Sequence, residues 1–94
     1  MNRGVRIYIE FSWFLAQKTG RKFVWLDIDG DSKIEDLFLK ILPPVIGKEF
    51  GETLFKLFLN GGILVIVNGV LVVDPSTKLK DGDRIYIQPL AFGG

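Results

Sequence analysis

The 94-residue chain contains no cysteine and no histidine. Without cysteine there is no disulfide and no thiol nucleophile. With histidine also missing, a Ser-His pair and the usual zinc and copper sites are excluded. The side chain best suited to proton transfer near neutral pH is absent as well. Long hydrophobic runs are missing too: Ile63–Val67 is among the longest, far short of a bilayer span. Met1-Asn2-Arg3-Gly4 leads directly into a strand pattern, without the apolar core of a signal peptide. A cytoplasmic protein with no membrane partner is expected. Charge of one sign is gathered nowhere, for 12 Lys+Arg and 11 Asp+Glu are scattered to a net +1. A nucleic-acid binder would show a basic patch or stripe, so nucleic acid is not an expected partner.

What is present is bulk. Hydrophobic residues make up 48% of the chain, with eight Phe, two Trp and two Tyr. That argues against disorder, and the length suits one domain around one core. Residues 5–11 alternate, with Val5, Ile7, Ile9 and Phe11 on one face and Arg6, Tyr8 and Glu10 on the other. This is a half-buried strand. Residues 12–20 read as a loop. Residues 21–28 form a second strand, Val24, Leu26 and Ile28 opposing Phe23, Trp25 and Asp27, in an antiparallel hairpin with the first.

Asp29-Gly30-Asp31 is a turn, and Ser32 with Glu35 has the spacing of a capping box at a helix start. Ile34, Leu37, Phe38, Ile41 and Leu42 then make a core-facing stripe. Pro43-Pro44 is expected to end that helix. Phe50, Leu54, Leu57 and Phe58 predict a second helix from about Lys48, closed at Asn60-Gly61-Gly62. Gly51 is unfavourable in its first turn. The apolar run Ile63–Val67 fits a strand buried on both faces. Asn68-Gly69 is a type I′ hairpin turn into residues 70–73, and residues 84–87 alternate as a last strand. The order is α+β, with first and last strands adjacent at the centre. It corresponds to a β-grasp, or ubiquitin-like, fold: a mixed five-stranded sheet against one main helix and a second one. Residues 1–88 form the domain and 89–94 a flexible tail.

Few residues in the body invite chemistry. Asp27, Asp29 and Asp31 alternate near a glycine, but an EF-hand loop needs its glycine at position six and a glutamate at twelve. Here the glycine is at position four and the twelfth residue is Phe38, so no metal is expected. Gly47-Lys48 lacks the upstream glycine of a P-loop, and no acid pair suggests acid-base work. Tyr8 and Tyr86 share the outward face of adjacent strands with Arg6 and Arg84. Those tyrosines suit either an interface or cross-strand packing, and the arginines read as solvated charge. The remaining reactive group is the terminal carboxylate of Gln88-Pro89-Leu90-Ala91-Phe92-Gly93-Gly94. Glycines there are either a frayed end or a thread thin enough for a narrow cleft. Six residues from Pro89 would extend about 20 Å.

The chain resembles the ubiquitin-like sulfur carriers of the MoaD/ThiS family, in particular the MoaD-like small subunit of molybdopterin synthase. The likeness runs from the Val5–Phe11 strand through Ile34-Glu35-Asp36-Leu37 and Val67-Asn68-Gly69. It is sharpest at Leu79-Lys80-Asp81-Gly82-Asp83-Arg84-Ile85, followed by Pro89 and Gly93-Gly94. The resemblance implies that an E1-like enzyme uses ATP to adenylate Gly94, and that a sulfur donor converts it to a thiocarboxylate. The large molybdopterin synthase subunit would then accept the tail, the sulfur serving molybdenum or tungsten cofactor biosynthesis. Gly94 would carry the sulfur and Gly93 would be the thread. Gln88, Pro89, Leu90, Ala91 and Phe92 would guide it, and Tyr86 would join them in binding partners. The chain itself would bind no cofactor and catalyse nothing alone. The family often has an aromatic residue, a Pro-Pro pair and then small residues, where this chain reads Gln88, Pro89-Leu90 and Ala91-Phe92. Bulky Phe92 implies a wider channel or a different partner. A thiamine-pathway carrier, a modifier conjugated to lysines and a plain interaction module are the alternatives.

Overall fold

A computed structural model describes residues 4–90. Strand β1 (Val5–Phe11) buries Ile7, Ile9 and Phe11 and turns Arg6, Tyr8 and Glu10 away from the core. β2 (Phe23–Ile28) pairs antiparallel with it, from Val5↔Ile28 to Glu10↔Phe23. Between them the expected loop is a helix, α1 (Trp13–Thr19). Only Leu15 of α1 is buried, so no apolar stripe announces it. Gly20, at φ 75°, closes it by donating its N–H to Ala16 C=O at 2.9 Å.

The helical layer begins at α2 (Ile34–Asp36), which passes directly into a π-helical turn, Leu37–Ile41. The cap sits one residue later than expected. Asp36 Oδ2 accepts the Lys33 N–H at 2.9 Å, while Ser32 is committed elsewhere. The Ser32 N–H donates to Asp29 C=O, and its own C=O accepts the Leu79 N–H. Pro43-Pro44 does not terminate the layer but starts α3 (Pro43–Ile46). A proline in the first turn of a helix has a fitting φ and loses no intrahelical hydrogen bond. The preceding residue, Leu42, reaches back to Leu37 C=O at 2.9 Å, closing the wide turn.

Helix α4 (Lys48–Asn60) has the expected span. Its end is a Schellman motif: Gly61 donates to Phe58 C=O and Gly62 to Leu57 C=O. Gly51, unfavourable by propensity, is demanded by packing. A Cβ there would lie 2.6 Å from Phe38 O, because the start of α4 meets the π turn backbone to backbone.

The sheet order is β2-β1-β5-β3-β4, with β3 (Ile63–Val67), β4 (Val70–Val72) and β5 (Arg84–Pro89). β5 is central, parallel to β1 and antiparallel to β3. First and last strands are therefore neighbours, as expected. Asn68 and Gly69, at φ 52° and 83°, make the hairpin turn into β4. β3 is not sealed on both faces: Ile63 and Val65 are buried, but Leu64 and Ile66 are only half-buried. The layer from α2 to α4 packs on the other side. There Ile7, Ile9, Ile85 and Ile87 meet Leu37, Phe38 and Leu54. Phe38 anchors a ring cluster, 5.5 Å from Phe58 and 6.0 Å from Phe55. Fully burying each such side chain contributes about 1.5–3 kcal/mol.

Candidate functional site

Strand β5 precedes the terminal residues in the chain. Ile85 and Ile87 anchor it in the core, and Arg84, Tyr86 and Gln88 point to the open face. Its start is held by the Asp81-Gly82-Asp83 turn. The Arg6 N–H donates to Asp81 Oδ1 at 2.8 Å, and Gly82 N–H, at φ 85°, donates to Arg6 C=O. Asp83 is buried and accepts Asn68 Nδ2 at 2.9 Å and the Lys80 N–H at 2.8 Å. Asn68 Oδ1 in turn accepts the Arg84 N–H at 2.9 Å. The two turn acids thus fix β5 to β1 and to the hairpin loop.

The far end of β5 is held as firmly. Residues 88 and 89 continue the strand beyond its expected end: Gln88 lies opposite Leu64 and Pro89 opposite Ile63. Leu90 still donates its N–H to Gly62 C=O at 3.0 Å. The alternation of the ladder turns the nitrogen of Pro89 towards Ser12. That carbonyl already accepts Ala16 N–H at 2.7 Å, so a residue without N–H costs little there. Leu90 is half exposed. Ala91, Phe92, Gly93 and Gly94, expected to thread and carry, lie outside the described residues.

The open face beside the first half of β5 is aromatic. Tyr8 lies 4.9 Å from Trp25 and 5.8 Å from Phe23, ring centre to ring centre. The Arg84 guanidinium sits 5.0 Å over the Tyr8 ring. Arg84 is therefore stacked rather than simply solvated, and Arg6 is paired, its Nε donating to Asp27 Oδ1 at 2.9 Å. That hydrogen bond, with the Arg6 charge, holds the Asp27 carboxyl below the usual range. Desolvation, then the Glu10 carboxylate, pushes the Tyr8 phenol up. Tyr86 stands between two shallow depressions of about 330 Å³ each. One is bounded by Tyr8, Ile66 and Arg84, the other by Trp13, Ala16 and Lys22. The sheet thus gathers Tyr86, Gln88, Pro89 and Leu90 along one strand.

Sequence reasoning missed Trp13 and Phe14, which are 75% and 48% exposed on α1. Ser12 at the start and Gly20 at the end were the signals of that helix. Among the described residues, no group of three or more acidic side chains could hold a metal ion, and no helix is long and apolar enough to cross a membrane.

No family model matches the chain, and no curated protein does. Solved structures match along nearly its whole length. SAMP1, small archaeal modifier protein 1, from Haloferax volcanii superposes with a TM-score of 0.71 at 21% identity, covering 95% of this chain and 99% of that one. A Pyrococcus furiosus protein described as molybdopterin converting factor subunit 1 gives 0.71 at 20% identity, over 93% and 99%. Ubiquitin from Caldiarchaeum subterraneum gives 0.55 at 12%, over 98% and 100%. The chain has the ubiquitin-like β-grasp fold. In this β-grasp domain the central strand runs past the aromatic face and carries the described chain to Leu90.

Proposed function

We propose that the protein is a sulfur carrier serving molybdopterin biosynthesis, with Gly94 as the carrying residue. An E1-like enzyme would bind the open sheet face and draw the tail into its site. A Gly94 carboxylate oxygen attacks the α-phosphorus of ATP and releases pyrophosphate. Hydrosulfide (HS−) released by the sulfur donor then attacks the acyl carbon and expels AMP, and the thioacid formed loses its proton to give a thiocarboxylate. Water must be excluded at that stage, since it would hydrolyse the adenylate. The large synthase subunit would receive the loaded tail. The observation that carries this reading is the clamping of β5, on both sides as far as Ile87 and on the β3 side as far as Leu90. A fixed base loses less entropy when the thread beyond it is ordered in a partner.

Intact mass after incubation with the activating enzyme, ATP and a sulfur source tests the reading. The expected result is the mass change of one oxygen-to-sulfur exchange, localised to Gly94 by fragmentation. An unchanged mass with every cognate enzyme would remove the proposal. The name of the Haloferax neighbour, a modifier, favours a second outcome in which a lysine amine captures the same adenylate. An isopeptide-linked remnant of the tail on other proteins would reveal it.

A further inference from the structure

A larger depression lies away from the aromatic face. It is a groove of about 450 Å³ between β2 and the helical layer. Its floor is apolar, made by Leu26 and Ile28 on one side and Ile41, Pro44 and Val45 on the other. Asp27, Asp29, Asp31 and Asp36 line it with a single cation, Lys40, making it three charges negative in a chain of net +1. Asp27 is paired with Arg6, and Asp36 lies 3.6 Å from Lys40. Asp29 and Asp31 have no cationic partner among the described residues.

The backbone of β2 supplies the second half of the observation. Phe11 N–H donates to the carbonyl of Lys22, its neighbour in register beyond Glu10↔Phe23, at 2.8 Å. In an antiparallel ladder this fixes the alternation. Val24, Leu26 and Ile28 turn their backbone groups to β1, while Phe23, Trp25 and Asp27 turn theirs outward. β2 is the last strand on its side of the sheet. Unpaired N–H and C=O groups therefore run along an open edge, and that edge borders the groove at Leu26–Ile28.

We propose that this groove seats an extended, basic segment of another protein, added to β2 as a further strand. Backbone pairing to Trp25 and Asp27 would hold it, and alternate apolar side chains would settle on Leu26, Ile28, Ile41 and Val45. Lys or Arg residues flanking them would meet Asp29 and Asp31. The charge selects the occupant. An acidic segment would meet repulsion from Asp29 and Asp31, which a basic one would not. The position leaves the tail free. Ile28 lies opposite Val5, whereas β5 makes its last pair with β1 at Phe11↔Ile87, roughly 20 Å away at about 3.3 Å per residue. The proposal therefore stands or falls independently of the role of Gly94.

The test is an NMR titration of the full chain with two synthetic peptides of alternating Val and Ile, one flanked by Lys and the other by Glu. The basic peptide is expected to shift Leu26, Ile28, Ile41 and Val45 and to slow amide exchange at Phe23, Trp25 and Asp27. It should bind at least about tenfold tighter than the acidic one, with the difference shrinking as salt is raised. N-methylating its edge-facing amides should abolish binding with side chains unchanged. Asp29→Asn with Asp31→Asn should weaken it without lowering the melting temperature. Equal affinity for the two peptides, shifts confined to the Tyr86 face, or no response at about 1 mM peptide would overturn the proposal. So would concentration-dependent dimerisation through β2 in sedimentation.

Discussion

β1 and β5 carry different chemistry on their two faces. Towards the helices they present Ile7, Ile9, Ile85 and Ile87, each almost wholly buried. Towards the open side the same strands present Tyr8, Tyr86 and Arg84, half-buried or exposed, with the Arg84 guanidinium over the Tyr8 ring. The first face can be apolar because the helices remove it from water. The second keeps large rings that pack on neighbours yet leave polar edges wet, a composition suited to partners that come and go. Alternation lets one pair of strands hold the fold together and offer a surface at once.

Substitutions should separate these roles. Phe38→Ala, on the closed side, is expected to cost about 3–5 kcal/mol through the cavity left among the Phe55 and Phe58 rings, read as a fall in the urea midpoint. Gly51→Ala should cost about 1–3 kcal/mol, because its Cβ would press on Phe38 O and force α4 away from the π turn. Helix propensity alone predicts a gain of about 1 kcal/mol, so the sign of the change decides whether the close approach governs this residue. On the open side, Tyr86→Ala should change stability by less than about 1 kcal/mol while raising the KM for the activating enzyme. A large stability loss there would break the comparison. The smallest effect is expected for Asp27→Asn. The Arg6 hydrogen bond and charge lower the folded-state pKa of Asp27. Its contribution is therefore present above the ordinary carboxylate pKa, about 4, and is lost as pH falls through the lowered value. Denaturant midpoints of the two proteins should differ slightly at neutral pH and converge in acid.

Strands were legible in the sequence because alternation survives in β1, β2 and β5, and because Asn68-Gly69 has few other uses. The centrality of β5 followed from the order of elements. Three local features were not legible. α1 buries only Leu15, so its periodicity is silent. The cap moved from Ser32 to Lys33 and Asp36 because Ser32 is tied to Leu79, a contact between residues far apart in sequence. Pro43-Pro44 reads equally well as a stop or as a first turn, and the π turn before it determines which. At the candidate site, Tyr86 was placed correctly on the open face, but the strand continues two residues past its expected end at Ile87, to Pro89. Its nitrogen faces a carbonyl already in use, something only tertiary structure reveals.

The position of β5 between a parallel and an antiparallel neighbour has a mechanical consequence. Tension applied at Leu90 runs along the strand axis, so the hydrogen bonds on both flanks are loaded together in shear, with no single bond peeled first. Forced extraction then depends on the height of the unfolding barrier rather than on overall stability. A partner that grips the tail and later withdraws from it would be tugging on a strand that its neighbours hold in shear.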